Sequence, residues 1–190
     1  MKKIETDMHG MPDLNDEQEL TDRIRAEAEK YQGGHEQPLA GYAVAMAVFA
    51  IGSAAARAGI GLSSRELPDR YRSSDLVLGA MAVHKLTRII SKEAVASPLR
   101  MPFTRFTGGA NSAELHEEMR VSGLRRSVGE LLTCPFCLAP WLATSYVTGL
   151  TAAPRTARAL AAVFSMVFAS DVLQHAYGRL LAIEEGEVEQ

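Results

Sequence analysis

LLTCPFCLAPWLATSYVTGLTAAP, residues 131–154, runs for 24 residues without a charge. A helix needs roughly 20 mostly apolar residues to cross a bilayer core, so this run is long enough. Three further stretches join it. Pro38 to Ala56 is uncharged over 19 residues and rich in Ala, Val, Met and Phe. Ala159 to Gly178 gives 20 residues interrupted by one acid, Asp171. Leu76 to Ile90 is weaker, with nine uncharged residues followed by Lys85 and Arg88. No segment alternates with period two between hairpin turn signals. The expectation is an all-α fold, a small multi-span membrane bundle with spans near 38–57, 75–92, 131–153 and 159–178. Gly41, Gly52 and the many alanines of the first run suit close helix approach in lipid. They would also suit a soluble bundle, and the uncharged length decides for the membrane.

Composition alone hides this. The 190 residues are 47% apolar and 23% charged, with a net charge of −3, which excludes a disordered chain or a collagen-like fibre. Two cysteines exclude a disulfide scaffold, and the missing basic excess gives no reason to expect nucleic acid as a partner. A mean hydropathy of −0.03 averages over segregated parts. Residues 1–38 hold ten acids and five bases, and Glu184, Glu185, Glu187 and Glu189 close the chain. Residues 39–183 keep nine acids against 15 bases. Three regions follow: an acidic tail with one helix over 1–37, a membrane domain over 38–178, and an acidic tail over 179–190. No cleavable signal peptide is expected, because the first apolar run begins behind an acidic segment.

Charge sets the expected topology. With four spans, the N-terminal tail, the 91–130 connection and the C-terminal tail share one side. That side, with Lys85 and Arg88, carries fourteen bases, and the opposite side carries six. The positive-inside rule then puts both termini in the cytoplasm of a bacterial inner-membrane protein. Three spans, with 76–90 lying on the surface, would separate the termini.

Leu20, Ile24, Ala28 and Tyr31 form an apolar stripe on a charged helix, with Glu19 and Arg23 spaced to pair. Gly33 and Gly34 end it. In the connection, Pro98 and Pro102 interrupt any helix, and Gly108 and Gly109 mark a turn. Asn111 to Glu114 has capping-box spacing. Leu115, Met119, Leu124 and Val128, beside Arg120, Arg125 and Arg126, predict a basic amphipathic helix over 112–130. It suits either anionic headgroups or a cap on the bundle. The expected partners are the lipid bilayer and a protein, or a second copy, bound through the N-terminal helix and the 112–130 helix.

Cys134-Pro135-Phe136-Cys137 carries the most pointed chemistry. This spacing can serve a redox disulfide or half a zinc site. The tetrapeptide resembles a glutaredoxin active site, but the long apolar run and the lack of alternating strands and helices do not suit that fold. A zinc site needs two more ligands, and His9, His35, His84, His116 and His175 form no local pair. A packing role is the third reading. Pro135 is tolerated in a first helical turn, Thr133 or Cys134 can cap it, and Trp141 then sits near the interface. No cofactor, catalytic residue or complete metal site is expected.

Three stretches together resemble a family of short bacterial membrane proteins known only as a domain of unknown function, with sporulation-associated members. They are Lys85-Leu86-Thr87-Arg88-Ile89-Ile90, Pro98-Leu99-Arg100, and Leu132-Thr133-Cys134-Pro135-Phe136-Cys137 with Trp141 four residues on. The likeness covers about 75–178, and Lys85 stands where an Arg is expected. The resemblance implies an integral membrane protein and supplies no activity.

The functional expectation is a non-enzymatic component or docking subunit of a membrane assembly, with a thiol redox protein using Cys134 and Cys137 as the alternative. Asp171 stands apart, since a charge in a span costs about 2.5–3.5 kcal/mol and seeks a partner. At ~1.5 Å rise per residue, Arg88 and Asp171 each lie roughly 18 Å from the start of their spans. The expected partner is Arg88, or failing that Lys85, with His84 and His175 as neighbours.

Overall fold

A computed structural model describes residues 14–33, 37–63, 66–109 and 114–188, without side chains for 14–16 and 184–188. Asn111, and with it the first half of the expected capping box, lies outside these residues. So do His9, His35, Gly34 and the acids before Leu14. Residues 1–39 and 40–190 form two separate compact units.

The first unit holds α1, Leu14–Gln32. Glu19 pairs with Arg23 at 2.6 Å and Glu27 with Lys30 at 2.7 Å, the i,i+4 and i,i+3 contacts of a solvated face. Gly33, at φ 53°, ends the helix and donates its N–H to Glu29. A left-handed residue at this position is the usual glycine stop. Leu20, Ile24 and Tyr31 stay exposed.

In the second unit, α2 is Leu39–Leu62 and α3 is Ser73–Lys92. A 3-10 turn over Ala94–Ala96 leads into the one-turn α4, Ser97–Arg100. Strands β1, Thr104–Gly109, and β2, Leu115–Met119, pair antiparallel. Then come α5, Gly123–Thr133, α6, Pro135–Ala152, and α7, Pro154–Val188.

The weakest of the four apolar stretches is the hub, because α3 packs on both α6 and α7. Its contacts are made by small residues. A Cβ on Gly79 would collide with the Tyr146 ring, while Ala82, Ala157 and Ala161 are buried. Small residues let helices approach closely enough for backbone atoms to take part. The Ser165 hydroxyl lies 2.7 Å from the Leu78 carbonyl across the α3–α7 contact. Gly79→Ala should therefore destabilise the bundle by about 1–3 kcal/mol, the range for overpacking. Gly52→Ala, with nothing within 4 Å of the new methyl, should be neutral or mildly stabilising through helix propensity. Thermal unfolding of both variants checks the contrast.

The structure corrects or narrows the sequence reading in four places. First, the fold is mostly helical but not all-α, because Thr104–Gly109 and Leu115–Met119 pair as antiparallel strands. The expected helix over 112–130 divides into β2 and α5. Leu115 and Met119, four residues apart, share a face on a helix and on a strand alike. What separates the two is Glu117, which is half-buried with Leu115 and Met119 while His116 and Glu118 face out. Gly123, at φ 60°, then provides the left-handed turn into α5.

Second, the uncharged run is broken. Leu131–Thr133 finish α5, Cys134 is extended, and α5 and α6 meet at a 77° bend. Third, two helices are long and apolar enough to cross a membrane, α2 and α7 over Pro154–Ile183, and the bent α5–α6 pair would make a third. The remaining expected span is α3, whose Asp75, Lys85 and Arg88 keep it outside this count by length and composition. Fourth, Pro98 does not interrupt a helix but sits in the first turn of α4, where its missing N–H is harmless.

Candidate functional site

The C-terminal end of α3 gathers charge. Lys85 is buried, and its Nζ lies 2.8 Å from Asp171 Oδ2 on α7 while also pairing with Glu93 just past α3. Arg88, three residues on, does not meet Asp171. It pairs with Glu114 just before β2, so of the two expected partners Asp171 takes the second. His84 packs edge-on against Phe168 with ring centroids 5.1 Å apart, and His175 Nδ1 lies 2.8 Å from the Asp171 carbonyl one turn back on α7.

Arg100 is the centre of the cluster and is 1% exposed. Its Nε and Nη2 donate to the two carboxylate oxygens of Glu117 at 2.8 and 3.0 Å. Nη1 donates to the Ile90 carbonyl at 2.7 Å, and both terminal nitrogens reach the Glu93 carbonyl at 3.1 Å. A guanidinium fork matches a carboxylate bidentately, and here its remaining donors reach the Ile90 carbonyl in the last turn of α3 and the Glu93 carbonyl just past it, which also accepts from the Ala96 N–H. The Thr104 hydroxyl lies 3.0 Å from Glu117 Oε2. Arg100 thus fastens helix, connection and hairpin at one point. Pro98 sets up the short helix that carries it there.

The third motif sits across a cleft from the first. Cys134 is the N-cap of α6, its Sγ accepting from the Cys137 N–H at 3.2 Å, and Pro135 opens the helix. The Thr133 hydroxyl donates back to the Gly129 carbonyl at 3.0 Å. The two sulfurs are 2.7 Å apart as free cysteines, with Cys137 exposed. A cavity of about 660 Å³ between α3 and α6 brings Thr87 and Arg88 together with Pro135, Phe136, Ala139 and Pro140. Trp141 stacks edge-on with Phe49 of α2, centroids 5.1 Å apart. Among the described residues no group of three or more His, Cys, Asp or Glu is placed to hold a metal.

At the other end of α3, Asp75 accepts from Arg158 of α7 through Nε and Nη2 at 2.9–3.1 Å. The Tyr146 hydroxyl donates to the Asp75 carbonyl at 2.9 Å. Sequence reading missed this triad, along with Glu93 and Glu117, and read Glu114 as part of a cap rather than as the partner of Arg88. The available signal was scarcity. Of the nine acids between residues 39 and 183, seven are ion-paired.

The chain belongs to a family of proteins of unknown function, DUF1360, whose family model matches residues 78–177. The match takes in the whole Lys85–Arg100–Asp171 cluster and the cysteine motif, and leaves out α1 and α2. No curated protein and no solved structure matches the chain.

Proposed function

We propose that this protein is an integral component of the bacterial cytoplasmic membrane, with both termini in the cytoplasm and a docking rather than catalytic role. One observation carries the membrane reading: apolar and charged residues are arranged inside out. Met46, Val48 and Ile51 on α2, and Val163, Met166, Val172 and Leu173 on α7, are exposed. Asp75, Lys85, Thr87, Arg100 and Ser165 are buried. Water would penalise that arrangement, and lipid favours it, since charges in a bilayer turn inward and pair. Pairing of Asp75 with Arg158, and of Lys85 with Asp171 and Glu93, lets α3 cross as a fourth span despite its charge. The fourteen-to-six excess of bases supports cytoplasmic termini.

The docking role rests on α1. Its Leu20, Ile24 and Tyr31 stripe is exposed, and a protein partner or a second copy would cover it. Capping of α6 by Cys134 accounts for the cysteine motif without redox chemistry.

The expected result is that the chain stays in the membrane pellet after alkaline carbonate extraction. Reporters active only in the cytoplasm should then work when fused to either end. Release into the carbonate supernatant would overturn the membrane reading, and a silent reporter at one end would overturn the four-span topology.

A further inference from the structure

The end of α3 opposite the Lys85 cluster differs from it in one respect: its arginines outnumber their partners. Between the loop before α3, the end of α6 and the start of α7 lies a cavity of about 370 Å³. Arg70, Arg72, Arg158, Tyr71 and Thr151 line it, together with the acids Glu66 and Asp75. Asp75 is committed to Arg158, and that pair uses Nε and Nη2 while leaving Nη1. Arg70 and Arg72 make no ion pair within 4 Å among the described residues, and both are exposed at the cavity mouth. The Thr151 hydroxyl is buried without a hydrogen-bond partner. Arg72 is also the N-cap residue of α3, and its side chain makes no capping bond. The first-turn N–H groups of a helix end favour an anion, and Asp75 already places one negative charge in this first turn.

We propose that this cavity is a phosphate-binding site, taking the phosphate group of an anionic phospholipid headgroup or of a soluble phosphate compound. Hydrogen-bond donors decide the ligand. Three guanidiniums supply charged donors from the loop before α3 and the start of α7, and Tyr71 and Thr151 line the same cavity. Inorganic phosphate or a phosphomonoester presents three or more unesterified oxygens to use these donors, a lipid phosphodiester two with its ester oxygens beside them, and arginine forks match either. A carboxylate has two oxygens, and Asp75 already shows how one arginine consumes both. The cavity lies about 20 Å along α3 from the Lys85–Arg88 cluster, by the helical rise from Asp75 to Arg88. It is therefore a separate site.

The test uses full-length protein purified in a zwitterionic detergent. Thermal stabilisation and direct binding are measured with inorganic phosphate, short-chain phosphatidylglycerol, and short-chain phosphatidylcholine. Arg70→Gln/Arg72→Gln should weaken binding at least tenfold and remove the salt dependence expected of an arginine site. Thr151→Val should weaken it less. Arg105→Gln, in the hairpin, should leave it unchanged. Arg70 and Arg72 are exposed and make no direct ion pair among the described residues, and Arg72 acts on Asp75 only through space, so the double variant should unfold close to the wild-type temperature without ligand, and that measurement is the folding control. Binding of phosphatidylglycerol alone would support the site with a lipid source. Inorganic phosphate alone, or both probes, would support it with a soluble source as well. Binding of none of the probes, equal binding of the phosphatidylcholine control and phosphatidylglycerol, or undiminished binding by the folded double variant would overturn it.

Discussion

Arg100→Ala should be the most damaging single substitution in the chain, lowering stability by about 3–5 kcal/mol, the usual cost of breaking a buried ion pair from one side. The reason is what it leaves behind. Glu117 is 8% exposed in its side chain, and without the guanidinium its carboxylate is a buried charge retaining the Thr104 hydroxyl. The Ile90 carbonyl loses its donor as well, and the Glu93 carbonyl keeps only the Ala96 N–H. Arg100→Lys keeps the charge but not the planar fork, so it cannot hold Glu117 and both carbonyls together. It should recover less than half of the loss. Arg100→Met combined with Glu117→Leu should be milder than Arg100→Ala alone, because no charge is stranded. Denaturant unfolding in detergent gives the magnitude. Hydrogen exchange over residues 104–119 shows whether the hairpin releases first. A loss under about 1 kcal/mol for Arg100→Ala would mean the fork is not what holds the hairpin to α3.

Much of this architecture was legible, and the limits have physical causes. Uncharged length located α2, α6 and α7, because an unbroken apolar helix has few ways to be satisfied outside lipid or a core. The start of α6 was legible from Pro135, whose fixed φ suits a first turn. The hairpin was not, because Leu115 and Met119 satisfy the helical and the strand period together. The residue that discriminates, Glu117, looks outward-facing by polarity and turns inward only because Arg100 awaits it. Arg100 was visible as part of a Pro-x-Arg pattern, yet nothing local to Pro98–Arg100 names a partner 17 residues away. Pairing across elements is a property of the packed bundle. The 77° bend at Cys134 was hidden for a similar reason. The residues on both sides are apolar, so hydropathy runs straight through a break that backbone geometry makes.

Lys85 and Asp171 should prove energetically coupled, whereas Arg88 and Asp171 should not. Depth along the helices could not separate the two bases, because Lys85 and Arg88 differ by only about 4.5 Å of rise. Azimuth does. Three residues fall about 60° short of a full turn, which points Lys85 at α7 and Arg88 toward the α3–α6 cleft and Glu114 just before β2. Lys85→Gln leaves Asp171 and Glu93 as neighbouring anions at a site where the lysine side chain is 11% exposed. Its expected cost is about 3 kcal/mol or more. Asp171→Asn should cost about 1 kcal/mol, since Lys85 keeps Glu93 and the Asp171 side chain is 39% exposed. In the double variant Lys85→Gln/Asp171→Asn, the second change relieves the repulsion created by the first. The two effects should therefore fall short of their sum by about 1–3 kcal/mol, a coupling typical of contacting residues. Arg88→Gln with Asp171→Asn should instead add to within about 0.5 kcal/mol, as for sites without a shared partner. Both cycles are read from denaturant unfolding in one detergent. Additivity in the first cycle, or coupling in the second, would mean that Asp171 answers to a different base than the one 2.8 Å from it.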